Sequence, residues 1–533
     1  MKRYQTLLIK SIKLNKLLIT FGKLFMFCYK EFSVFGLLFF LIFSNNSIGQ
    51  SHVVFNQTCS NAYLFASRMQ TEQAKTMLAE AQKTDSQNQA YLFVSNYADL
   101  VKLLVNTNKS EFENFKTQCS EKISVFENIA TESPIKDAII AELYFHRSMA
   151  RIVFNEKIRA AFDLRKAKLL SNLNRKKYPN FDYNLKLSGL LNLITGSIPD
   201  DLKWAASLAS LSGSIEKGIQ EINRYHRSVQ NDTLFNCFYP EATCLKIAVI
   251  QTFDPIAKAE NRVKAILFDP EIEKEISVNK LLTFVCADFM MKNGMNDHAI
   301  EILLSMNFDE SFLNFSYIDY LTGIALQNKM DNRAVTYFFK YVLNTSNENY
   351  VKATYQRIAW HYLLNNTSVK YQEHIQNVLK FGLQNSESDN AAIEEANSGI
   401  KPNLILLKAR LLFDGGYYDK SLEVLKQYKT EPIVSEKNIE YLYRLARIYD
   451  EKGDETTALK YYNTVIAQAS NKAWFYAANS CLMAGFMHEI KKENKIALKY
   501  YNACLKLNPN KYKTSIHQKA KAGKNRIEKG SAA

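Results

Sequence analysis

The sequence predicts an all-α protein, an α-solenoid of helical hairpins with a less regular helical N-terminal half. Turn formers are scarce: 17 Gly and 9 Pro in 533 residues amount to about 5%, against about 12% in ordinary usage. A sandwich or barrel needs such a residue every strand or two, which argues against an all-β fold. Apolar residues at 47% and charged residues at 23% match a folded soluble chain rather than a collagen-like, disordered or multi-span membrane one. Small residues then recur along the C-terminal half. Ala299, Ala334, Ser421, Ala458 and Ala497 lie 35, 87, 37 and 39 residues apart, a period that belongs to stacked repeats.

The first element is an address. Residues 34–43, VFGLLFFLIF, form an uncharged apolar run, too short for the ~20 residues that span a bilayer and of the length of a secretory h-region. Ser47 and Gly49 follow at the spacing a signal peptidase accepts, so residues 1–49 read as a signal peptide, with Met26 as an alternative start. An uncleaved anchor is the rival reading. No Cys stands just after the run, which argues against a lipid anchor of the usual bacterial kind. The expected location is the periplasm or cell envelope of a bacterium.

Residues 50–177 hold the next helices. Segments 62–82, 89–105, 135–154 and 157–173 place apolar residues at three-and-four spacing, the mark of amphipathic helices. None keeps the repeat offsets, and they read as degenerate hairpins continuing the solenoid, with a separate bundle capping it as the alternative. Residues 178–274 read as an irregular helical joint, because Pro179, Gly196, Pro199, Gly213 and Gly218 cluster there. Asp200 or Asp201 is placed to start a helix bearing Trp204, its carboxylate beside the N-terminus.

Between residues 275 and 510 the repeat is explicit. In 441–465, YLYRLARIYDEKGDETTALKYYNTV, the residues Leu445, Ala446, Tyr449, Gly453, Ala458, Tyr462 and Val465 hold fixed places. Small Ala446 and Ala458 let two helices cross closely, and Gly453 supplies the turn between them. The plan returns with Gly485, Ala497, Tyr501 and Cys504 ahead of Pro509, and with Ala409, Leu412, Gly416, Ser421 and Leu425. It returns again with Ala287, Met290, Gly294, Ala299 and Leu303 and, one residue shorter, with Gly323, Leu326, Ala334 and Phe338. A divergent unit at 353–382 keeps Ala359 and Tyr362 in its first helix. The polar stretch 385–403 reads as an extended loop between hairpins, and residues 511–533 as a basic C-terminal helix or tail. These units resemble the tetratricopeptide repeat (TPR) family over roughly half the chain. The resemblance implies a right-handed solenoid whose first helices line a concave groove for a protein or peptide.

Charge and chemistry narrow the function. The formal net charge is +15; residues 1–49 carry seven Lys and Arg against Glu31 alone, so the rest falls to +9. No zinc finger, recognition-helix arm or RNA-binding aromatic signature accompanies that excess, so no nucleic-acid partner is expected. Cys59, Cys119, Cys237, Cys244, Cys286, Cys481 and Cys504 include no CxxC and no Cys/His ligand set, so neither metal nor cofactor is expected, and most read as small buried hydrophobes. No catalytic residue is assigned. Ser-x-x-Lys occurs at Ser133/Lys136, Ser214/Lys217 and Ser277/Lys280 without its companion motifs, and the nucleophile elbow, P-loop and zincin motifs are absent.

Transferred residue by residue, the resemblance puts Asn403, Leu406 and Arg410, then Tyr443, Arg447 and Asp450, then Asn479, Leu482 and Phe486 on the groove wall. Trp360 takes the corresponding place in the divergent unit. Arg410 and Arg447, one repeat apart, are candidates to clamp a carboxylate or an extended peptide backbone; the competing reading pairs them with Asp414 and Asp450. The implied function is a non-enzymatic scaffold or adaptor of the cell envelope. A glycan- or nutrient-binding envelope protein is the alternative, and it calls for exposed aromatics in one patch away from the groove. An enzyme hidden at 178–245 calls for a polar pocket holding Glu221, His226 or Asp232. The basic clusters at 165–177 and 511–529 read as a solvated helix face and a polar cap, so membrane association is expected only through an uncleaved N-terminus or a partner.

Overall fold

The computed structural model describes residues 51–198, 207, 210–253, 266–345, 349–384, 386–430 and 434–530. The expected signal peptide and the helix start between Pro199 and Trp204 lie outside the described residues. Within them stand 24 α-helices and one short 3-10 segment, and the only extended pairing is an isolated bridge between His52 and Asn88. The protein is all-α. None of the described helices is long and apolar enough to cross a membrane.

In chain order the helices are α1 (Gln57–Ser67), α2 (Thr71–Thr84), α3 (Ala90–Asn106), α4 (Lys109–Glu127), α5 (Pro134–Val153), α6 (Lys157–Lys177), α7 (Asn184–Gly196), α8 (Ile215–Gln230) and α9 (Tyr239–Phe253). There follow α10 (Pro270–Ile276), α11 (Lys280–Lys292), α12 (Asn296–Leu304), α13 (Tyr317–Asn328), α14 (Ala334–Asn344), α15 (Val351–Leu364), α16 (Ser368–Lys380) and α17 (Glu387–Ser398). The last are α18 (Leu404–Asp414), α19 (Tyr418–Leu425), α20 (Glu436–Glu451), α21 (Glu455–Ala469), α22 (Phe475–Ile490), α23 (Asn494–Lys506) and α24 (Lys513–Gly530).

Eight hairpins share one turn. Where the first helix of each ends, a single residue takes left-handed φ: Met69 at +71°, Asn155 at +64°, Gly294 at +74°, Met330 at +64°, Asn366 at +57°, Gly416 at +77°, Gly453 at +78° and Lys492 at +62°. The N–H of the next residue donates to the carbonyl five positions back, from Gln70 to Phe65 through Asp454 to Tyr449 and Glu493 to His488, at 2.8–2.9 Å in all eight. This is the Schellman closure of a helix end.

The crossing is fixed relative to that turn. Seven residues before it stands a small residue of the first helix: Ala62, Ser148, Ala287, Gly323, Ala359, Ala409, Ala446 or Gly485. Five residues after it stands its partner on the second helix: Ala74, Ala160, Ala299, Ser421, Ala458 or Ala497, with Ala334 one position early and Tyr371 filling the divergent unit. Every alanine and serine in this set is at most 1% exposed. Where glycine holds the place an aromatic ring enters: a Cβ on Gly485 would lie 2.5 Å from the Tyr501 ring, and one on Gly323 2.6 Å from that of Phe338.

Two of these hairpins, α1/α2 and α5/α6, lie in the N-terminal half, where apolar spacing alone shows no repeat offsets. The offsets are present, but Met69 and Asn155 stand at the turns where glycine announces them elsewhere. The stretch 178–274 is also more helical than its Gly and Pro content suggests. Gly189 and Gly218 bring α7 and α8 together, since a Cβ on Gly218 would lie 2.9 Å from the Gly189 carbonyl oxygen. Lys186 of α7 ties this region to the N-terminal hairpins, its Nζ standing 3.1 Å from Glu142, Glu241 and the Tyr63 hydroxyl alike.

The expected loop at 385–403 is instead mostly helix α17. Ser386 caps it by accepting the Asp389 N–H at 3.0 Å, Ala392 and Ala396 form its buried stripe, and Gly399 ends it at φ +64°. Its polar surface hides a two-alanine face too narrow to stand out in the sequence. The seven cysteines are free thiols; burial pushes those of Cys59, Cys119, Cys237, Cys286, Cys481 and Cys504 up to about 12.

The turn geometry sets opposite expectations at two positions. Gly453 has nothing within 4 Å of a would-be Cβ, so Gly453→Ala isolates the left-handed backbone and costs about 1 kcal/mol. Lys492 is exposed, so Lys492→Gly relieves the same strain and stabilises by a similar amount. Urea denaturation midpoints check both signs, and a neutral Gly453→Ala contradicts the shared turn.

Candidate functional site

The first helices α15, α18 and α20 turn one side toward a common cavity of about 720 Å³. Its spine is the position six residues before each turn, occupied in order by Trp360, Arg410 and Arg447. One helical turn earlier on α15 and α20, Arg357 and Arg444 join the wall, because i and i+3 share a helix face. Helix α17 closes one side with Glu394 and Glu395, and Phe475, Tyr476 and Tyr512 close another.

Trp360 is a pillar rather than a contact surface. It is 3% exposed, and the guanidinium carbons of Arg357 and Arg410 lie 5.1 and 5.2 Å from its ring centroid, within cation–π range. Its indole N–H donates to Glu395 at 2.9 Å, which also accepts from Gln356 at 2.7 Å and the Tyr371 hydroxyl at 3.2 Å. Burial holds the Glu395 carboxyl above the usual carboxylate range, against the pull of those three donors.

The two arginines retain donors toward the cavity. Arg410 meets Asp414 only at 3.7 Å, with its side chain 35% exposed. Arg447 pairs with Glu451 at 3.2 Å, donates to the Tyr443 hydroxyl at 3.4 Å, rests 5.0 Å over the Phe413 ring, and leaves its buried Nε without a hydrogen-bond partner. A guanidinium carries five N–H donors, so Arg410 keeps most of its own for a ligand, while Arg447 keeps one N–H on each terminal nitrogen. Glu440 is committed to Arg444.

Of the wall residues expected from the repeat, Trp360, Asn403, Leu406, Arg410, Tyr443 and Arg447 line the cavity. Asn403 also caps α18, its Oδ1 accepting from the Ile405 and Leu406 N–H groups. The other four lie elsewhere. Asp450 accepts from the Tyr462 hydroxyl at 2.8 Å inside its hairpin and does not meet Arg447. Asn479 donates to the Tyr443 hydroxyl. Leu482 is 2% exposed in a cluster with Ile516, Ala520 and Ile527 of α24, and Phe486 packs there against Tyr501. Helix α24 lies where a further hairpin would stand, and covers the inward side of α22. Arg357 and Arg444 were not anticipated; the i, i+3 spacing from Trp360 and Arg447 is the signal that points to them.

The remaining motifs have structural work. Ser133 and Ser214 are N-caps, accepting from the Lys136 and Lys217 N–H groups at 3.2 Å. Glu221 accepts from Arg175, Ser188 and Asn192 at 2.6–2.9 Å, Asp232 caps the 3-10 segment through the Leu234 and Phe235 N–H groups, and His226 contacts Thr243. None of these three lines the cavity.

Glu395 is the testable hub. Glu395→Ala strands the Trp360, Gln356 and Tyr371 donors and costs about 1–3 kcal/mol, whereas Glu395→Gln keeps an acceptor oxygen and costs less. Denaturation midpoints followed by tryptophan fluorescence check the ordering, and equal losses overturn it.

Against known proteins, the tetratricopeptide repeat family model matches residues 439–472 and 478–511, which are α20/α21 and α22/α23 with their flanks. No curated protein matches the chain. Similar solved structures include the crystal structure of the P58(IPK) TPR domain, at 14% identity over 82% of this chain and 99% of that one, with a TM-score of 0.21. Another is the crystal structure of the APC/C hetero-tetramer Cut9-Hcn1, at 11% identity over 84% of this chain and 86% of that one, with a TM-score of 0.23. The tetratricopeptide repeat model thus matches two consecutive hairpins of this chain, and six further hairpins share their turn.

Proposed function

We propose that this protein is a non-enzymatic scaffold whose cationic groove holds an extended protein or peptide segment presenting carboxylates. The observation that carries the reading is the pair Arg410 and Arg447, at the same place in consecutive hairpins, both lining the cavity and each with more N–H donors than its own partners take up. Planar guanidinium groups match carboxylate geometry bidentately, and their spacing follows the repeat. The apolar run at 34–43 supports an exported protein of the bacterial envelope. Among the described residues, the exposed phenylalanines Phe162, Phe268 and Phe381 stand on separate segments.

Affinity capture from an envelope fraction with the full chain, set beside the Arg410→Ala/Arg447→Ala variant, tests the groove. Hydrogen bonds to charged groups contribute about 1.5–3 kcal/mol each, so the double variant loses roughly a hundredfold or more in affinity for the captured partner. Unchanged capture by a folded double variant overturns the proposal.

A further inference from the structure

We propose that the outer face of α6 docks this protein on an anionic membrane surface. The helix buries Ala160, Ala161, Leu164, Ala167, Ser171 and Asn174 against its neighbours. Its opposite side is not the polar face that such a helix ordinarily shows to water. Ile158, Phe162, Leu169 and Leu173 are 48%, 49%, 52% and 63% exposed, and their spacing of four, seven and four residues sets them in one stripe. Ile152 and Val153, also exposed, prolong the apolar surface past the hairpin turn.

The exposed charges of the helix itself have one sign. Lys157, Arg159, Arg165, Lys166, Lys176 and Lys177 are exposed around the stripe. The one acid of the helix, Asp163, turns inward and is taken by Arg147 and Arg151. Glu132 pairs with Lys177 and Glu156 approaches Arg159 at 3.7 Å; the other four cations have no ion-pair partner among the described residues. A solvated face has no need of four large apolar side chains, and a face made for an apolar partner has no place for six cations. A bilayer surface satisfies both. Lys and Arg reach the lipid phosphates while the apolar groups enter the acyl boundary, the pattern of an interfacial helix. Twenty-one residues make this a contact of about 30 Å, long enough for many headgroups. The arrangement needs neither the apolar run at 34–43 nor the groove.

Partitioning of the full chain onto vesicles tests the idea, comparing phosphatidylcholine alone with equal parts phosphatidylglycerol and phosphatidylcholine. The fall of that gain from the wild type to the charge variant is the readout, because the apolar and cationic residues 1–49 are the same in both. Each cation at an anionic surface corresponds to roughly a fivefold change in affinity, so Lys166→Glu/Lys176→Glu reduces the gain at least tenfold, and salt reduces it in the wild type. A polarity-sensitive fluorophore on Leu173→Cys shifts to the blue on the anionic vesicles. Both variants change only exposed positions, and circular dichroism verifies their fold. An undiminished gain in the charge variant, or no spectral shift at position 173, overturns the proposal, as does a face that captures an acidic protein and ignores vesicles. Arg410→Ala/Arg447→Ala leaves the gain intact, which separates this surface from the groove.

Discussion

Two helices come within backbone reach only where small side chains meet, and in this chain that meeting is tied to a left-handed residue seven positions after one contact and five before the other. The turn and the crossing therefore act as one constraint. Once Gly453 or Lys492 closes the end of a first helix through the Schellman bond, the second helix has a single register in which Ala458 or Ala497 faces its partner. The residues six positions before the turn in α15, α18 and α20 then face one cavity. That is why Trp360, Arg410 and Arg447, scattered over nearly ninety residues of sequence, form one wall.

The inserted helix α17 adds what the repeat frame does not supply. Asp389, fully buried, accepts the Tyr350 and Ala353 N–H groups at 3.1 Å each, satisfying donors at the start of α15 that have no partner within their own helix. Two turns further along, Glu395 holds the indole of Trp360, which lies between the groove arginines and the insert. A carboxylate toward each end of α17, Asp389 buried and Glu395 half-buried, thus holds α15 in place. The cationic character of the groove depends on Glu395 being occupied by Trp360, Gln356 and Tyr371 rather than by an arginine.

The hairpins from 275 to 510 were legible because glycine or a small residue marks the turn and the crossing at fixed distances, with Gly294, Gly416 and Gly453 at the turns. Where Met69 and Asn155 accept the same backbone, the turn is a property of φ that composition does not announce, so the N-terminal hairpins read only as degenerate ones without repeat offsets. Helix α17 was hidden for a different reason: a segment rich in Ser, Asp, Glu and Asn looks like a loop unless its two buried alanines are weighed against a neighbour not visible in the sequence. The same holds for the site. Repeat spacing located Arg410 and Arg447, but the loss of Asp450, Leu482 and Phe486 from the wall follows from Tyr462 and from α24, which are tertiary facts.

The end of the groove has its own logic, readable from two homologous bonds. In α20/α21 the Tyr462 hydroxyl donates to Asp450. Thirty-nine residues later the Tyr501 hydroxyl donates to Glu489, the same bond with a longer acid. The longer acid has capacity left, and Arg526 of α24 takes it with two contacts at 2.7 and 2.9 Å. The Tyr501 ring is meanwhile flanked by Gly485 on α22 and Gly523 on α24, with would-be Cβ distances of 2.5 Å on each side. A bond internal to one repeat has thus become the anchor for a capping helix, and the repeat's own tyrosine serves as the spacer. Because α24 is held there, its Ile516, Ala520 and Ile527 cover Leu482 and shield the apolar side of the last hairpin from water. A terminal repeat needs that cover to remain soluble. The groove stops at α20 because the cap occupies the surface that would have extended it.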